Sequence, residues 1–239
     1  METQNLKSST QDKTLIRALI YGAAGTRKTT LAGTFPKLLF FDFDNKLDPL
    51  YGKNIEVIQY LYEDPSECGR LWAKFWRDFK DAKKSDFQTL VFDSLSSMDP
   101  ILLAYMMILA GKDPKAPCEI QIYGNQKRYY ETFLNELKAI KDKNVLLIGH
   151  HQEVRDDDGA GQGILLEVCP LITGNKIKPQ LPAAFKDVWY MHRPGGEKDD
   201  VILHYKPYRK AIANSLSLHG SGEIVNPTYD IIRKEMEKK

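Results

Sequence analysis

One stretch constrains the fold of this chain more than any other: Tyr21-Gly22-Ala23-Ala24-Gly25-Thr26-Arg27-Lys28-Thr29-Thr30. It lies between a β-rich apolar run, Leu15–Tyr21, and a segment of helical spacing, Lys28–Phe35, that stops at Pro36. Glycines at 22 and 25 permit a tight turn that residues bearing a Cβ resist. A buried strand that enters such a turn and leaves as a helix is the opening unit of an α/β sheet. The alternation continues. Lys37–Asp42, Ile55–Tyr60, Thr89–Asp93 and Asn144–Gly149 read as strands. Ser66–Lys84, Met98–Ala110 and Ile120–Lys141 read as helices, with a proline-containing break at Lys112–Pro117. Near-continuous apolar strands suit a parallel sheet covered on both faces, joined by right-handed crossovers.

The final third changes character. Glu153–Asp156 and Ile164–Val168 predict a hairpin around a turn-rich tip, and Val188–Met191 and Val201–Tyr205 predict strands around a PGGEKDD loop. The expected organisation is a polar arm over 1–13, a single domain over 14–225 with a β-rich C-terminal elaboration, and a helical tail over 226–239. In the helix Ser66–Lys84, Leu71, Phe75 and Phe79 recur every four residues beside Trp72 and Trp76, which predicts core packing.

Charge and cysteines exclude several classes. Lys+Arg is 34 against Asp+Glu 32, a net charge of +2, so the chain is neither a uniformly basic coat for nucleic acid nor an acidic disordered segment. Three cysteines without a CxxC pair argue against a disulfide framework or a zinc site and for a reducing, cytoplasmic setting. The N-terminus METQNLKSSTQDK has no apolar signal core, and the longest apolar run, Ile101–Ala110, is too short to span a bilayer.

The glycine turn carries chemistry. The phosphate-binding pattern GxxxxGK[ST] becomes GxxxxRKT, in which Gly22, Lys28 and Thr29 fit and Arg27 replaces the last glycine. Successive backbone N–H groups of residues 22–30 can cradle an anion. Lys28 can reach the β- and γ-phosphates of ATP, and the Thr29 hydroxyl can ligate Mg²⁺. If position 27 needs a glycine backbone, arginine strains it. If it tolerates a side chain, the guanidinium points outward, toward phosphate, a neighbouring subunit or DNA.

Three strand ends supply partners. Asp93 closes TLVFD and is read as a Mg²⁺ ligand, or else as a helix N-cap. Asp42 and Asp44 follow KLLFF, and alternation places them on one side. Asp44 is the candidate that positions or deprotonates the attacking water, with turn formation before Asn45 as the alternative. His150, in Gly149-His150-His151-Gln152, is read as a γ-phosphate sensor, or else as part of a polar turn.

In this order the motifs resemble a RecA-type P-loop ATPase core of the AAA/RecA superfamily, over roughly residues 14–215. LIYGAAGTRKTTLA is similar to that family's strand, Walker A loop and helix; LLFFDFDNKLDPLYG to a segment in which a strand ends in Asp-x-Glu and runs into Leu-Asp-Pro; VFDSLSSM to its Walker B strand; and LLIGHHQE to the strand before its DNA-binding loops. On that match Asp44 stands where the family has its catalytic glutamate. The chain is similar in particular to short phage-encoded nucleotide-binding proteins of recombination and single-strand annealing, through LAGTFPKLLFFD, the strand-end histidine and LPAAFKDVWYM. The resemblance implies ATP, Mg²⁺, single-stranded DNA and a homo-oligomer, in the cytoplasm of a bacterial host. The residues themselves predict no zinc, because the strand-end histidines have no partner at metal-ligand spacing, and no membrane segment.

For DNA the residues offer two candidates. Lys206, Arg209 and Lys210 stand among Tyr205 and Tyr208, and could meet DNA or the γ-phosphate of an adjacent subunit. The 150–176 region and its neighbour Lys178 carry Arg155 and Lys176 against the repelling run Asp156–Asp158. Two alternatives remain open: a nucleotide-binding assembly protein that hydrolyses little, and a small-molecule P-loop kinase.

Overall fold

The apolar runs at 18–22, 38–42, 89–93 and 144–149 become strands whose two faces are both buried. A computed structural model describes residues 15–156, 163–173, 177–195 and 199–238. In it β1 (Arg17–Gly22) pairs in parallel with β5 (Asn144–Arg155), β5 with β4 (Thr89–Asp93), β4 with β2 (Leu38–Asp42), and β2 with the edge strand β3 (Glu56–Gln59). On the other side of β1 lies β7 (Asp187–His192), also parallel. Beyond it β8 (Ile202–His204), β10 (Glu223–Val225) and the short β9 (Asn214–Ser215) are antiparallel, and β6 (Leu165–Pro170) pairs antiparallel with β5. The structure thus has the expected α/β class, a mostly parallel sheet flanked by helices with a β-rich C-terminal part.

Alternation along β1 shows why the runs are continuous. Leu19 and Tyr21 enter one core cluster, and Ala18 and Ile20 the other. The first cluster is roofed by α2 (Cys68–Lys84), α3 (Leu95–Leu109), α4 (Ile120–Ala139) and, through Leu181, the short α5 (Gln180–Ala183); the second by α1 (Lys28–Ala32) and α6 (Tyr229–Glu237). The aromatic stripe of α2 lies in the first. Phe75 has its ring centroid 5.9 Å from Phe41 and 5.7 Å from Phe133, both edge-on, which suits the quadrupoles of the rings.

Several expectations are corrected. Strand β5 does not stop at Gly149: it runs unbroken to Arg155, so the first arm of the predicted hairpin is its continuation. The sequence conceals this because the polar second half of β5 is only partly buried. Helix α3 starts at Leu95, not Met98, because Ser94 caps it by accepting from the Ser97 N–H at 3.2 Å. Pro100 therefore sits in the second turn of the helix rather than in its first. The segment set apart as a tail carries α6, which is packed on the second cluster through the fully buried Ile232 and a Tyr229–Phe35 ring contact. The arm at 1–13 and Asp157, Asp158 and Lys176 fall outside the described residues. Among the described residues no helix is long and apolar enough to cross a membrane.

Candidate active site

Sheet register brings the strand-end motifs to one edge. Gly22 is level with His150 on β5, and Asp42 is level with Asp93 on β4. The loop after β1 begins against β7: a Cβ on Gly22 would lie 2.2 Å from the Met191 carbonyl oxygen, so no side chain fits there. Gly25 has φ +77°. Arg27 has φ 59° and ψ 29°, the left-handed region that favours glycine. The glycine of the motif is therefore replaced at a position whose backbone wants one, at a cost of about 1 kcal/mol. The loop nevertheless closes into α1, with the Leu31 N–H donating to the Arg27 carbonyl at 2.9 Å.

Lys28 folds back on its own loop. Its ammonium donates to the carbonyls of Gly22 at 3.0 Å and Ala23 at 2.7 Å. Burial pushes its pKa down to about 8, opposed by the fields of Asp93 and Asp44. Thr26 turns its hydroxyl inward to the Ala23 carbonyl, at 2.8 Å.

The Thr29 hydroxyl donates to Asp93 Oδ2 at 2.6 Å. Asp93 is nearly fully buried, and burial pushes its carboxyl up to about 6 against the Thr29 hydrogen bond. Because Ser94 caps α3, Asp93 is not the N-cap, and its carboxylate faces Thr29.

The two aspartates after β2 divide their work differently from the alternation argument. Asp42 Oδ1 accepts from the N–H groups of Asp44 and Asn45 at 3.0 and 2.9 Å, and Oδ2 from Gln59 at 3.1 Å. Asp42 is thus the turn former. Period two ends with the strand at Asp42, so it cannot place Asp44. The turn instead sends Asp44 toward β4 and α3, where Oδ1 accepts from the hydroxyls of Ser94, at 3.0 Å, and Ser97. His150 Nε2 lies 3.5 Å from Asp44 Oδ2. Burial pushes the Asp44 carboxyl up, but the hydrogen bonds from His150, Ser97 and Ser94 outweigh it and hold it at about 2.

His150 is a strand residue, not a turn. Its N–H donates to Ser96 Oγ at 3.0 Å, and its carbonyl accepts from the Leu171 N–H at 2.8 Å. Ser94, Ser96 and Ser97 were not singled out by sequence reasoning. The signal was present in Asp93-Ser94-Leu95-Ser96-Ser97, three hydroxyls directly after a strand-end acid. Asp99 was also missed. It is buried, accepting from Tyr130 at 2.7 Å, Gln126 at 2.8 Å and the Thr173 N–H at 2.7 Å, and so pins residues 171–173 to α3 and α4. An acid inside an apolar helix was the available clue.

The basic turn meets this edge at the end of β7, where the Tyr208 ring lies 5.3 Å from that of His192. Lys206 donates to the Gly220 carbonyl at 2.9 Å, the Lys210 carbonyl accepts from the Val168 N–H at 2.8 Å, and Arg209 lies over the Tyr208 ring. Tyr208 is itself stacked on His204 at 3.8 Å. Among the described residues no hydrogen bond or ion pair joins Lys206, Arg209 or Lys210 to residues 22–30. Arg155 is paired with Glu153 at 2.6 Å and donates to the Gly163 carbonyl at 3.2 Å. Lys178 lines a cavity of about 620 Å³ beside Tyr123 and Ile172.

Residues 14–207 match the model of the AAA domain family. The chain belongs to that family. A solved structure described as the crystal structure of the RadB recombinase is similar to this AAA domain at 15% identity, over 81% of each chain, with a TM-score of 0.40. No curated protein matches it.

The residues of this AAA domain fit a magnesium nucleotide. Thr29 Oγ1 and Asp93 Oδ2 are hard oxygen donors of the kind Mg²⁺ prefers, adjacent in space. The Lys28 ammonium, now held by two neutral carbonyls, can exchange them for phosphate oxygens.

Proposed function

We propose that the chain is a Mg²⁺-dependent ATPase of RecA type that acts in DNA recombination or single-strand annealing in a phage-bearing bacterial cytoplasm. The observation that carries the nucleotide part is the Thr29–Asp93 contact of 2.6 Å beside Lys28, with the Asp44–His150 pair facing it. Gly22, Ala23, Ala24, Gly25, Thr26, Arg27, Lys28, Thr29 and Thr30 form the phosphate cradle. Thr29 and Asp93 hold Mg²⁺, which when bound neutralises phosphate charge. Asp44, ionised at any physiological pH, orients the attacking water. His150 carries the presence of the γ-phosphate to the Leu171 segment through its backbone. Single-stranded DNA and self-assembly are supported by the likeness of the motifs, with Lys206, Arg209 and Lys210 as the DNA or intersubunit contact.

A second reading, a nucleotide-binding assembly protein with little turnover, is favoured by one feature. The Asp44 carboxylate is held by Ser94 and Ser97 and is one methylene shorter than glutamate, which sets it back from water. ATP hydrolysis measured with and without single-stranded DNA separates the two, with Lys28→Ala as control. Stimulation of about tenfold or more, lost in the variant, is the expected result; binding without turnover under either condition supports the second reading.

A further inference from the structure

The replacement of glycine by arginine at position 27 has a partner far along the chain. Arg27 forms an ion pair with Asp199 Oδ2, 172 residues away, and Arg193 forms one with Oδ1 of the same carboxylate. Arg193 follows β7 by one residue. It is two residues past Met191, whose carbonyl is the atom pressed against Gly22 at the start of the loop. Two guanidinium groups, one inside the phosphate loop and one beside it, thus share one carboxylate and leave one positive charge in excess.

A carboxylate gripped by guanidinium groups is the arrangement in which arginine also binds phosphate. The Arg27, Arg193 and Asp199 side chains are 43, 47 and 53% exposed. Ion pairs in such a setting are weak and easily exchanged. The left-handed backbone of Arg27 adds a second reason to look for a role: a strained residue persists where the site uses it.

We propose that Asp199 is a stand-in for phosphate, and that Arg27 and Arg193 transfer from it to the phosphates of a bound nucleoside triphosphate. Arg193 is then a nucleotide-binding residue supplied by β7, and Asp199 a competitor that lowers the affinity of the loop. This inference rests on the reading of residues 22–30 as an ATP site.

The test is titration of the full chain with a fluorescent ATP analogue in Mg²⁺, using wild type, Lys28→Ala, Arg193→Ala and Asp199→Asn. Thermal melts without nucleotide verify folding, and Asp199→Ala repeats the measurement with a smaller side chain. The expected result is tightening by about threefold or more in Asp199→Asn and Asp199→Ala, and weakening by about threefold or more in Arg193→Ala. Unchanged or weaker binding by both Asp199 variants overturns the competition, because the carboxylate would then be positioning the arginines. Unchanged binding by Arg193→Ala overturns its role as a ligand. Equal, negligible binding by wild type and Lys28→Ala would instead remove the underlying ATP site.

Discussion

The aromatic layer under α2–α4 and the polar rim at the strand ends are built from the same strands, one residue apart. On β2, Phe41 is stacked in the layer and Asp42 begins the rim; on β4, Phe92 is in the layer and Asp93 faces Thr29. The layer is fully buried and made of packed rings and aliphatic groups. The rim holds a lysine pushed down to about 8, one aspartate pushed up to about 6 and another held at about 2. The contrast teaches that stability and chemistry are separable here. The rim stores unfavourable burial of charge that the layer offsets.

Substitution in the layer tests this most harshly. Phe75→Ala leaves a cavity among Phe41, Phe79, Phe92 and Phe133. It should cost about 3–5 kcal/mol in urea unfolding, with unchanged nucleotide affinity in the fraction that stays folded. A large loss of affinity in the folded protein would show that the two regions are coupled.

Asp93→Asn should do the reverse. A carboxyl whose folded pKa is raised, here from 3.8 to about 6, binds its proton more tightly in the folded state. Its stabilising protonation is fully present below pH 3.8 and is lost as pH rises through 6. The amide should therefore stabilise the chain by about 1–3 kcal/mol at pH 7 and by nearly nothing at pH 4. It should also abolish the Mg²⁺ dependence of nucleotide binding. Equal melting temperatures of variant and wild type across that range would contradict the assignment.

The smallest effect belongs to a region between the two. His151, His192 and His204 cluster with Tyr190 and Tyr208, and burial pushes all three imidazoles down. A lowered histidine contributes stability above its unfolded value of 6.5 that is lost as pH falls below it. We expect an acid slope between pH 6.5 and 5 worth under about 1 kcal/mol per histidine, reduced in His204→Gln.

How much of this was legible follows the same division. The layer announced itself through the i, i+4 aromatics of α2, and the rim through acids and a histidine placed directly after apolar strands. What could not be read was whatever depends on where a chain turns after a strand ends. Asp42 forms the turn, and that Asx turn rather than the period of two decides where Asp44 points. The length of β5 was hidden by its partly exposed second half, and the start of α3 by Pro100. The Arg27–Asp199–Arg193 contact joins segments 172 residues apart and has no local signature.

The central claim, that the rim binds Mg·ATP through Lys28, is tested most directly by isothermal titration calorimetry of the full chain. Loss of two charge-assisted hydrogen bonds to phosphate predicts affinity lower by about 100-fold in Lys28→Ala, with little change in its melting temperature. Wild type and Lys28→Ala binding Mg·ATP with the same affinity, or neither binding it, would contradict the account.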